Sequence, residues 1–177
     1  MAVVNVLDTD LTNINAGTLA MPGARYSGSR LRTKEGVITV SNTDSIASTY
    51  RFFRVRSSDL VVSLKLYNAA LTGVTDADLG LYGIANGAAV DADVYLDGAT
   101  LATAAPAVPP TAASDDGMEL RFGDAATSTP GFIKSKVWQD LALAADPQLE
   151  YDVTLTINAA ATATGLVGLR MIYTDGS

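Results

Sequence analysis

The chain has 177 residues, with 12 Lys and Arg against 19 Asp and Glu, and it contains neither Cys nor His. Disulfides, Cys-type zinc sites, thiolate nucleophiles and serine–histidine triads are therefore excluded. The length suits one ordinary domain, and 48% hydrophobic with 18% charged residues predicts a folded chain. Carboxylate, Lys or Tyr chemistry and metal sites built from oxygen ligands remain for catalysis, and with the commonest catalytic side chains absent we expect no enzyme and no cofactor.

The first 24 residues show no sustained hydrophobic period. They predict an extended N-terminal arm over residues 1–24, ahead of a domain over residues 25–177. The start lacks the basic and apolar regions of a secretory signal. No stretch approaches the roughly 18 apolar residues of a membrane span, so we expect no membrane partner.

Charge is unevenly distributed along the chain. Residues 25–56 hold seven basic residues against two carboxylates, a net charge of +5, whereas residues 57–177 carry −10. A basic segment can bind nucleic acid, dock on an acidic protein or pair with the chain's own carboxylates. Tyr50, Phe52 and Phe53 lie among the basic residues, as stacking platforms for bases would. Since the chain as a whole is acidic, we do not expect nucleic acid, and the other two alternatives stay open.

Alternation with a period of two predicts most of the strands. Within residues 60–67 the even positions are all Leu or Val, which predicts that this face is buried. Residues 151–157 alternate with the odd positions apolar, so Asp152, Thr154 and Thr156 are predicted to face outward. Residues 167–173 follow after a turn region and are predicted to pair with 151–157. Further strands are predicted over residues 31–40, 49–56, 79–84, 118–122 and 132–137.

Short strands separated by Gly, Asn, Asp and Pro clusters predict an all-β fold, an antiparallel β-sandwich that is jelly-roll-like. No connection is long and helical enough for repeated parallel crossovers. Residues 90–105 fit either a strand or a short helix begun by an aspartate cap. Residues 137–143 predict about two helical turns that end at Asp146-Pro147. The sandwich is therefore expected to carry one or two short helices.

Aspartates in the turns raise the question of a metal ion, since hard cations prefer clustered carboxylates. The spacing of a helix-loop-helix calcium site fails, because Tyr95 occupies its fifth position and Ala102 stands where a bidentate Glu belongs. We interpret these aspartates as turn residues and predict no metal site, while a structural cation between loops stays open. The aspartates are Asp76, Asp78, Asp91, Asp93 and Asp97.

Two further sites are considered and set aside. Glu119 and Glu150 could form a glycosidase pair, but Glu119 alternates with Leu120 as an outward strand residue would. Trp138 is the single tryptophan and lies between Val137 and Leu141. We predict that it anchors the core or an oligomer interface, rather than serving as a ligand platform.

Four parts of the chain, taken together, resemble tailed-bacteriophage virion structural proteins of the kind encoded among the head genes. The resemblance extends over about residues 25–174, and its motifs are structural. They are residues 54–67, residues 78–82 with 87–93, residues 137–147, and residues 150–162 with 168–173.

This resemblance implies a capsid decoration (cement) protein that binds the outer surface of the major capsid protein lattice. Such a protein is assembled in the host cytoplasm, belongs to the virion at the capsid surface, and acts as a homodimer or homotrimer. No catalytic residues come with such a family. We place the capsid-docking residues at Arg25, Arg30, Arg32 and Lys34, with the arm extended over a neighbour.

Other functions remain alternatives at this point. One is another virion structural protein, a tail or fibre component. A second is a carbohydrate-binding jelly-roll module that uses Trp138, and a third is a hydrolase that uses Glu119 or Glu150.

Overall fold

The computed structural model of the chain describes residues 31–105, 118–120 and 135–176. The predicted arm over residues 1–24 lies outside the described residues, and so do Arg25 and Arg30. Within the described ranges, no helix has the length and apolar character that a membrane crossing requires.

Eight strands and one short helix make up the described chain, as the all-β prediction requires. The strands are β1 (Leu31–Val40), β2 (Ser48–Arg56), β3 (Leu60–Asn68), β4 (Ala77–Gly83), β5 (Ala89–Leu96), β6 (Met118–Glu119), β7 (Glu150–Ile157) and β8 (Gly165–Thr174). The helix, α1, spans Val137–Asp140 and lies between β6 and β7 in chain order.

The strands form two antiparallel four-stranded sheets. Sheet A has the order β1-β8-β3-β6 and sheet B the order β2-β7-β4-β5. The first strand pairs with the last, the second with the seventh, the third with the sixth and the fourth with the fifth. A long antiparallel hairpin that pairs in this nested way and then rolls up is a jelly roll. The predicted jelly-roll-like sandwich is confirmed.

The hydrophobic core is built from the inward faces of the strands. Leu155 and Ile157 of β7 are fully buried, and Leu169 and Met171 of β8 are almost so. Burying a side chain of this size stabilises the fold by about 1.5–3 kcal/mol relative to leaving it in water. The apolar positions of the alternating pattern therefore decide which face of each strand turns inward.

The predicted pairing of the last two strands is wrong. β7 pairs with β2 and β4 in sheet B, whereas β8 pairs with β1 and β3 in sheet A. The connection between them thus crosses from one sheet to the other. Both strands carry a complete apolar face, and placing them in facing sheets buries both faces in one core.

The predicted buried face of β3 is wrong in its first half. The register with β8 shifts between Val61 and Ser63, which marks a β-bulge. Val61 is fully buried before the bulge, and Leu64 and Leu66 are buried after it. One extra residue in a strand exchanges the inward and outward positions, so a strict period of two does not hold across residues 60–67.

The segment that was open between strand and helix, residues 90–105, contains β5, and its remainder forms turns and a bridge between Ala105 and Asn68. The predicted two-turn helix is one turn long. It ends because Ala142 takes a left-handed conformation with φ of 52°.

Two predicted strands differ at their C-terminal ends. The predicted strand over residues 132–137 is wrong at its end, since Lys136 forms an isolated bridge with Leu60 and Val137 begins α1. Residues 132–134 lie outside the described residues. Of the predicted strand over 118–122, β6 covers Met118–Glu119 and Leu120 lies in a bend, while residues 121–122 lie outside the described residues.

Candidate docking surface

β1 and β2 are edge strands of the two sheets and approach each other along what we call the β1–β2 seam. Gly36 allows the close approach, because a Cβ there would lie 3.2 Å from the carbonyl oxygen of Phe52. Farther along, the Lys34 Nζ donates a hydrogen bond of 2.7 Å to the Arg54 carbonyl oxygen. A side chain therefore joins the two sheets at this seam.

An open cleft of about 510 Å³ lies at the seam. Because four cations face three carboxylates, the cleft carries one net positive charge. The cations are Arg32, Lys34, Arg54 and Arg56, and the carboxylates are Asp59, Glu150 and Asp175. The predicted docking residues Arg32 and Lys34 are thus brought together with two arginines of β2.

Lys34 makes three contacts inside the cleft. Besides its hydrogen bond to Arg54, its Nζ lies 3.6 Å from the Asp59 Oδ2 and 4.3 Å from the centre of the Tyr173 ring. Asp59 is 2% exposed and also accepts a hydrogen bond of 3.0 Å from the Arg56 backbone N–H. A predicted docking residue is therefore a structural link between the sheets. Nothing in the spacing of Lys34, Asp59 and Tyr173 along the sequence signals this contact.

The arginines of the seam pair with carboxylates of the same chain. Arg32 lies 2.6 Å from Asp175, and Arg56 lies 3.7 Å from Glu150. Arg54 lies 3.0 Å from Asp152. The same holds for the other described cations of the basic segment, so self-pairing accounts for much of its charge. The side chains of Arg32, Arg54 and Arg56 nevertheless remain more than half exposed.

The outer face of β7 is buried, contrary to the prediction. Asp152 is 8% exposed and is held by Arg51 and Arg54 of the neighbouring strand. Thr154 is fully buried. The backbone of β5 passes so close to Gly80, the partner of Thr154 on β4, that an added Cβ would clash with it. Side chains and a neighbouring strand therefore cover a face that the alternation predicts as solvent-exposed.

The aromatic residues of the basic segment serve the fold. Tyr50, Phe52 and Phe53 all pack against the hydrophobic core. Burial, together with a 2.8 Å hydrogen bond donated to Asp44, raises the pKa of Tyr50 to about 12. The hydrogen bond from the Ser41 backbone N–H, followed by the one from Tyr50, lowers the pKa of Asp44. The aromatic side chains that were considered as stacking platforms for bases are thus packed against the core of the fold.

The turn aspartates mostly accept hydrogen bonds from the chain itself. The Asn158 side-chain amide donates to Asp76 at 3.1 Å and to Asp78 at 2.6 Å. The pKa of Asp93 is raised, chiefly by its hydrogen bond with Asp91 and then by burial. Within the described ranges, no group of three or more His, Cys, Asp or Glu could hold a metal ion.

Trp138 lies at the margin of the core. Its backbone N–H donates to the Ser57 carbonyl oxygen at 3.0 Å, which fixes the start of α1. The side chain is half-buried, and its Nε1 is covered without a hydrogen-bond partner among the described residues. The neighbouring Val137 is fully buried and provides the anchor of α1 in the core. The prediction of an oligomer anchor at Trp138 stays a prediction.

The two glutamates considered as a glycosidase pair belong to different sheets. Glu119 lies on β6, opposite Lys65 of sheet A, and its side chain is outside the described residues. Glu150 begins β7 in sheet B and pairs with Arg54 and Arg56. The carboxylate of Glu150 thus takes part in ion pairs at the β1–β2 seam.

Comparison with solved structures adds one finding to this geometry. The chain shares its fold with a cyanophage capsid component. The similar chain belongs to the cyanophage Pam1 capsid asymmetric unit, with a TM-score of 0.56 and 17% sequence identity. The match covers 88% of this chain and 91% of that one. Because both coverages are close to nine-tenths, the likeness concerns nearly the whole length of the two chains.

Comparison at the level of sequence finds no further relative of the chain. No family model matches the chain, and no curated protein matches it significantly. At 17% identity, the match with the cyanophage Pam1 chain shows a common fold and transfers no individual residue.

Proposed function

We propose that this chain is a structural protein of a tailed-bacteriophage virion, and more specifically a capsid decoration (cement) protein. It binds the outer surface of the major capsid protein lattice and stabilises the expanded capsid. The observation that carries the proposal is the jelly roll that the chain shares, over about nine-tenths of its length, with a chain of the cyanophage Pam1 capsid asymmetric unit. It belongs to the capsid surface of the virion, is assembled in the host cytoplasm and performs no catalysis.

The chemistry of the seam supports docking on a protein surface. Arg32, Arg54 and Arg56 present exposed guanidinium groups along one cleft. A guanidinium group can bind a carboxylate through two parallel hydrogen bonds, and arginine is enriched at protein interfaces. Lys34 is held inside the cleft, so the docking role predicted for the basic segment falls on the arginines. Arg25 and Arg30 precede this cleft in the sequence.

Decoration stabilises a capsid through mass action. A protein that binds only the expanded lattice stabilises it by about 2.7 kcal/mol per site when its free concentration is about 100 times the dissociation constant. Modest contacts at each site suffice, because oligomeric copies that span several lattice subunits gain affinity from multivalency.

The proposal is tested by adding the purified chain to purified expanded capsids that lack it and measuring occupancy by sedimentation. We expect saturable binding, which Arg32→Gln and Arg56→Gln reduce. Arg170→Gln is the matched control, because Arg170 pairs with Glu35 on the outer face of sheet A, away from the cleft. Equal occupancy for all variants would remove the cleft from the docking surface. Absence of binding by the unmodified chain would overturn the decoration role.

The arm is tested separately by deleting residues 1–24. We expect occupancy on the capsids to fall, and unchanged occupancy would remove the arm from the docking contact. Electron microscopy of intact particles then distinguishes a head location from a tail or fibre location, the main alternative among virion proteins.

A further inference from the structure

The cleft at the β1–β2 seam contains a guanidinium group whose capacity for hydrogen bonds is unused. The side chain of Arg56 is 67% exposed, and its Nε lies 3.7 Å from the Glu150 Oε1, too far for a hydrogen bond. Within the described residues, this side chain makes no hydrogen bond and no second ion pair. The N–H donors of a guanidinium group form a planar fork that matches a carboxylate. Arg56 is therefore able to bind a carboxylate of another molecule.

Glu150 lies between two arginines without a hydrogen bond to either. Its Oε2 is 3.8 Å from the Arg54 Nη1, and its Oε1 is 3.7 Å from the Arg56 Nε. The pairing of β2 with β7 sets Glu150 directly opposite Arg56, so the backbone keeps this carboxylate at the cleft. The three side chains are between 42% and 67% exposed, and exposed pairs of this kind contribute little to stability. Glu150 thus marks the place of a carboxylate without filling it tightly.

A second exposed pair at the cleft joins Arg32 to Asp175. Their side chains are 55% and 44% exposed, and Asp175 follows the last residue of β8. The side chains of Lys34 and Asp59, in contrast, are only 27% and 2% exposed. The cleft therefore has an interior that the fold holds in place and a rim whose ion pairs are open to exchange.

We propose that the rim of this cleft binds acidic side chains of a partner protein by exchanging ion pairs. A partner carboxylate forms two parallel hydrogen bonds with Arg56 in place of the distant contact with Glu150. A second partner carboxylate replaces Asp175 at Arg32. The inference rests on the docking role proposed above for the cleft and names the groups that the partner supplies. Glu150 and Asp175 are then internal competitors for the arginines, so neutralising them should strengthen binding.

The charge around the rim favours a protein partner over a nucleic acid. The cleft carries one net positive charge, and the chain as a whole carries −7. Closely spaced phosphates would all face this acidic chain and the two carboxylates of the rim, which repel them. Two separate carboxylates on one protein segment can each meet a guanidinium group. An acidic protein segment therefore fits the cleft better than a continuous polyanion does.

The exchange is measured by NMR titration of the full chain with a hexaglutamate peptide, and with hexaglutamine as the neutral comparison. We expect hexaglutamate to bind with a dissociation constant of about 1 mM. Arg56→Gln should raise that constant about fivefold. Arg56→Lys should raise it nearly as much, because an ammonium group keeps the charge and lacks the fork. Glu150→Gln and Asp175→Asn should each lower it about two- to fivefold.

Glu35→Gln is the matched control for Glu150→Gln. It removes the same charge from an exposed pair, the one with Arg170 on the outer face of sheet A. We expect it to leave the dissociation constant nearly unchanged. Equal tightening by Glu35→Gln and Glu150→Gln would show an effect of net charge alone and would overturn the proposal. No tightening by Glu150→Gln, full binding by Arg56→Lys, or no binding of hexaglutamate up to about 10 mM would overturn it as well.

The same variants, added to purified expanded capsids, separate this inference from the decoration role. Occupancy at a subsaturating concentration should rise for Glu150→Gln and stay unchanged for Glu35→Gln. If the unmodified chain binds capsids and Glu150→Gln does not raise occupancy, the exchange is overturned and decoration stands. If the peptide shows the exchange and no variant binds capsids, the chemistry of the cleft stands and decoration is overturned. Tighter binding of an oligothymidylate than of hexaglutamate would overturn the choice of a protein partner.

Discussion

The contact of Lys34 with Asp59 should govern the stability of the seam, although Lys34 comes from a segment whose charge suggests docking. Lys34→Met keeps most of the aliphatic stem and removes the ammonium group. The variant loses the hydrogen bond to the Arg54 carbonyl oxygen and leaves Asp59 buried without its cation.

The magnitude follows from the geometry. A hydrogen bond from a charged donor contributes about 1.5–3 kcal/mol, and removing one partner of a buried ion pair costs about 3–5 kcal/mol. The lower end of the second range applies for two reasons. The Lys34 Nζ is as far as 3.6 Å from Asp59, and Asp59 keeps its hydrogen bond from the Arg56 backbone N–H in the variant. We expect a loss of about 3 kcal/mol in the free energy of unfolding. For a chain of this size, that lowers Tm by about 6–12 °C.

Arg32→Met is the matched control, because it removes an ion pair on the same strand. Arg32 and Asp175 are 55% and 44% exposed, and pairs in such surroundings contribute about 0–1 kcal/mol. Urea and thermal unfolding of both variants, at low and high salt, measure the difference. If Lys34→Met lowers the free energy of unfolding by no more than Arg32→Met does, the contact between Lys34 and Asp59 is not a major source of stability. Lys34→Met combined with Asp59→Asn should recover part of the loss, since the neutral amide no longer needs a cation.

Three further predictions concern pH and backbone packing. The raised pKa of Tyr50, about 12, favours its neutral form in the folded chain, so this stabilisation is present below pH 10 and is lost as pH rises towards 12. Phenolate absorbance should show the raised pKa, and alkaline unfolding should show the loss of stability with pH. Tyr50→Phe should abolish this part of the pH dependence. The pKa of Asp146 is lowered, first by the hydrogen bond from the Ser57 hydroxyl, so its contribution is present above pH 3.8 and is lost as pH falls below that value. Asp146→Asn should remove this part of the acid dependence, and an unchanged acid profile would contradict the assignment. Gly80→Ala should cost about 2–3 kcal/mol, because its Cβ would clash with the backbone of β5, whereas Gly168→Ala should leave urea unfolding nearly unchanged.

The position of most strands followed from local pattern, and their partners did not. β1 was predicted with its observed bounds, because apolar residues, turn residues and strand length are local properties. The partner of β7 depends on contacts distant in sequence, and β7 joins β2 and β4 although β8 follows it. The β3 bulge likewise depends on the register with β8, and no residue within residues 60–67 indicates that register.

The candidate docking surface was likewise predictable in part from the sequence. Composition indicated a basic segment, and the structure places Arg32 with Arg54 and Arg56 in one cleft. The partners of those cations come from β7 and the end of the chain, about a hundred or more residues away, so their pairing was beyond any local pattern.

The amino-acid sequence by itself determined an acidic chain without His or Cys, an all-β fold and the alternation that builds the core. Those features depend on composition and on neighbours one or two residues apart. Only the tertiary structure decided that Lys34 links two sheets, that Asp152 is covered, and that a Cβ would clash at Gly80 but fit at Gly168. Each of these three features depends on which strands lie next to each other. That arrangement is fixed when the long hairpin rolls up into two sheets, and it involves the chain as a whole.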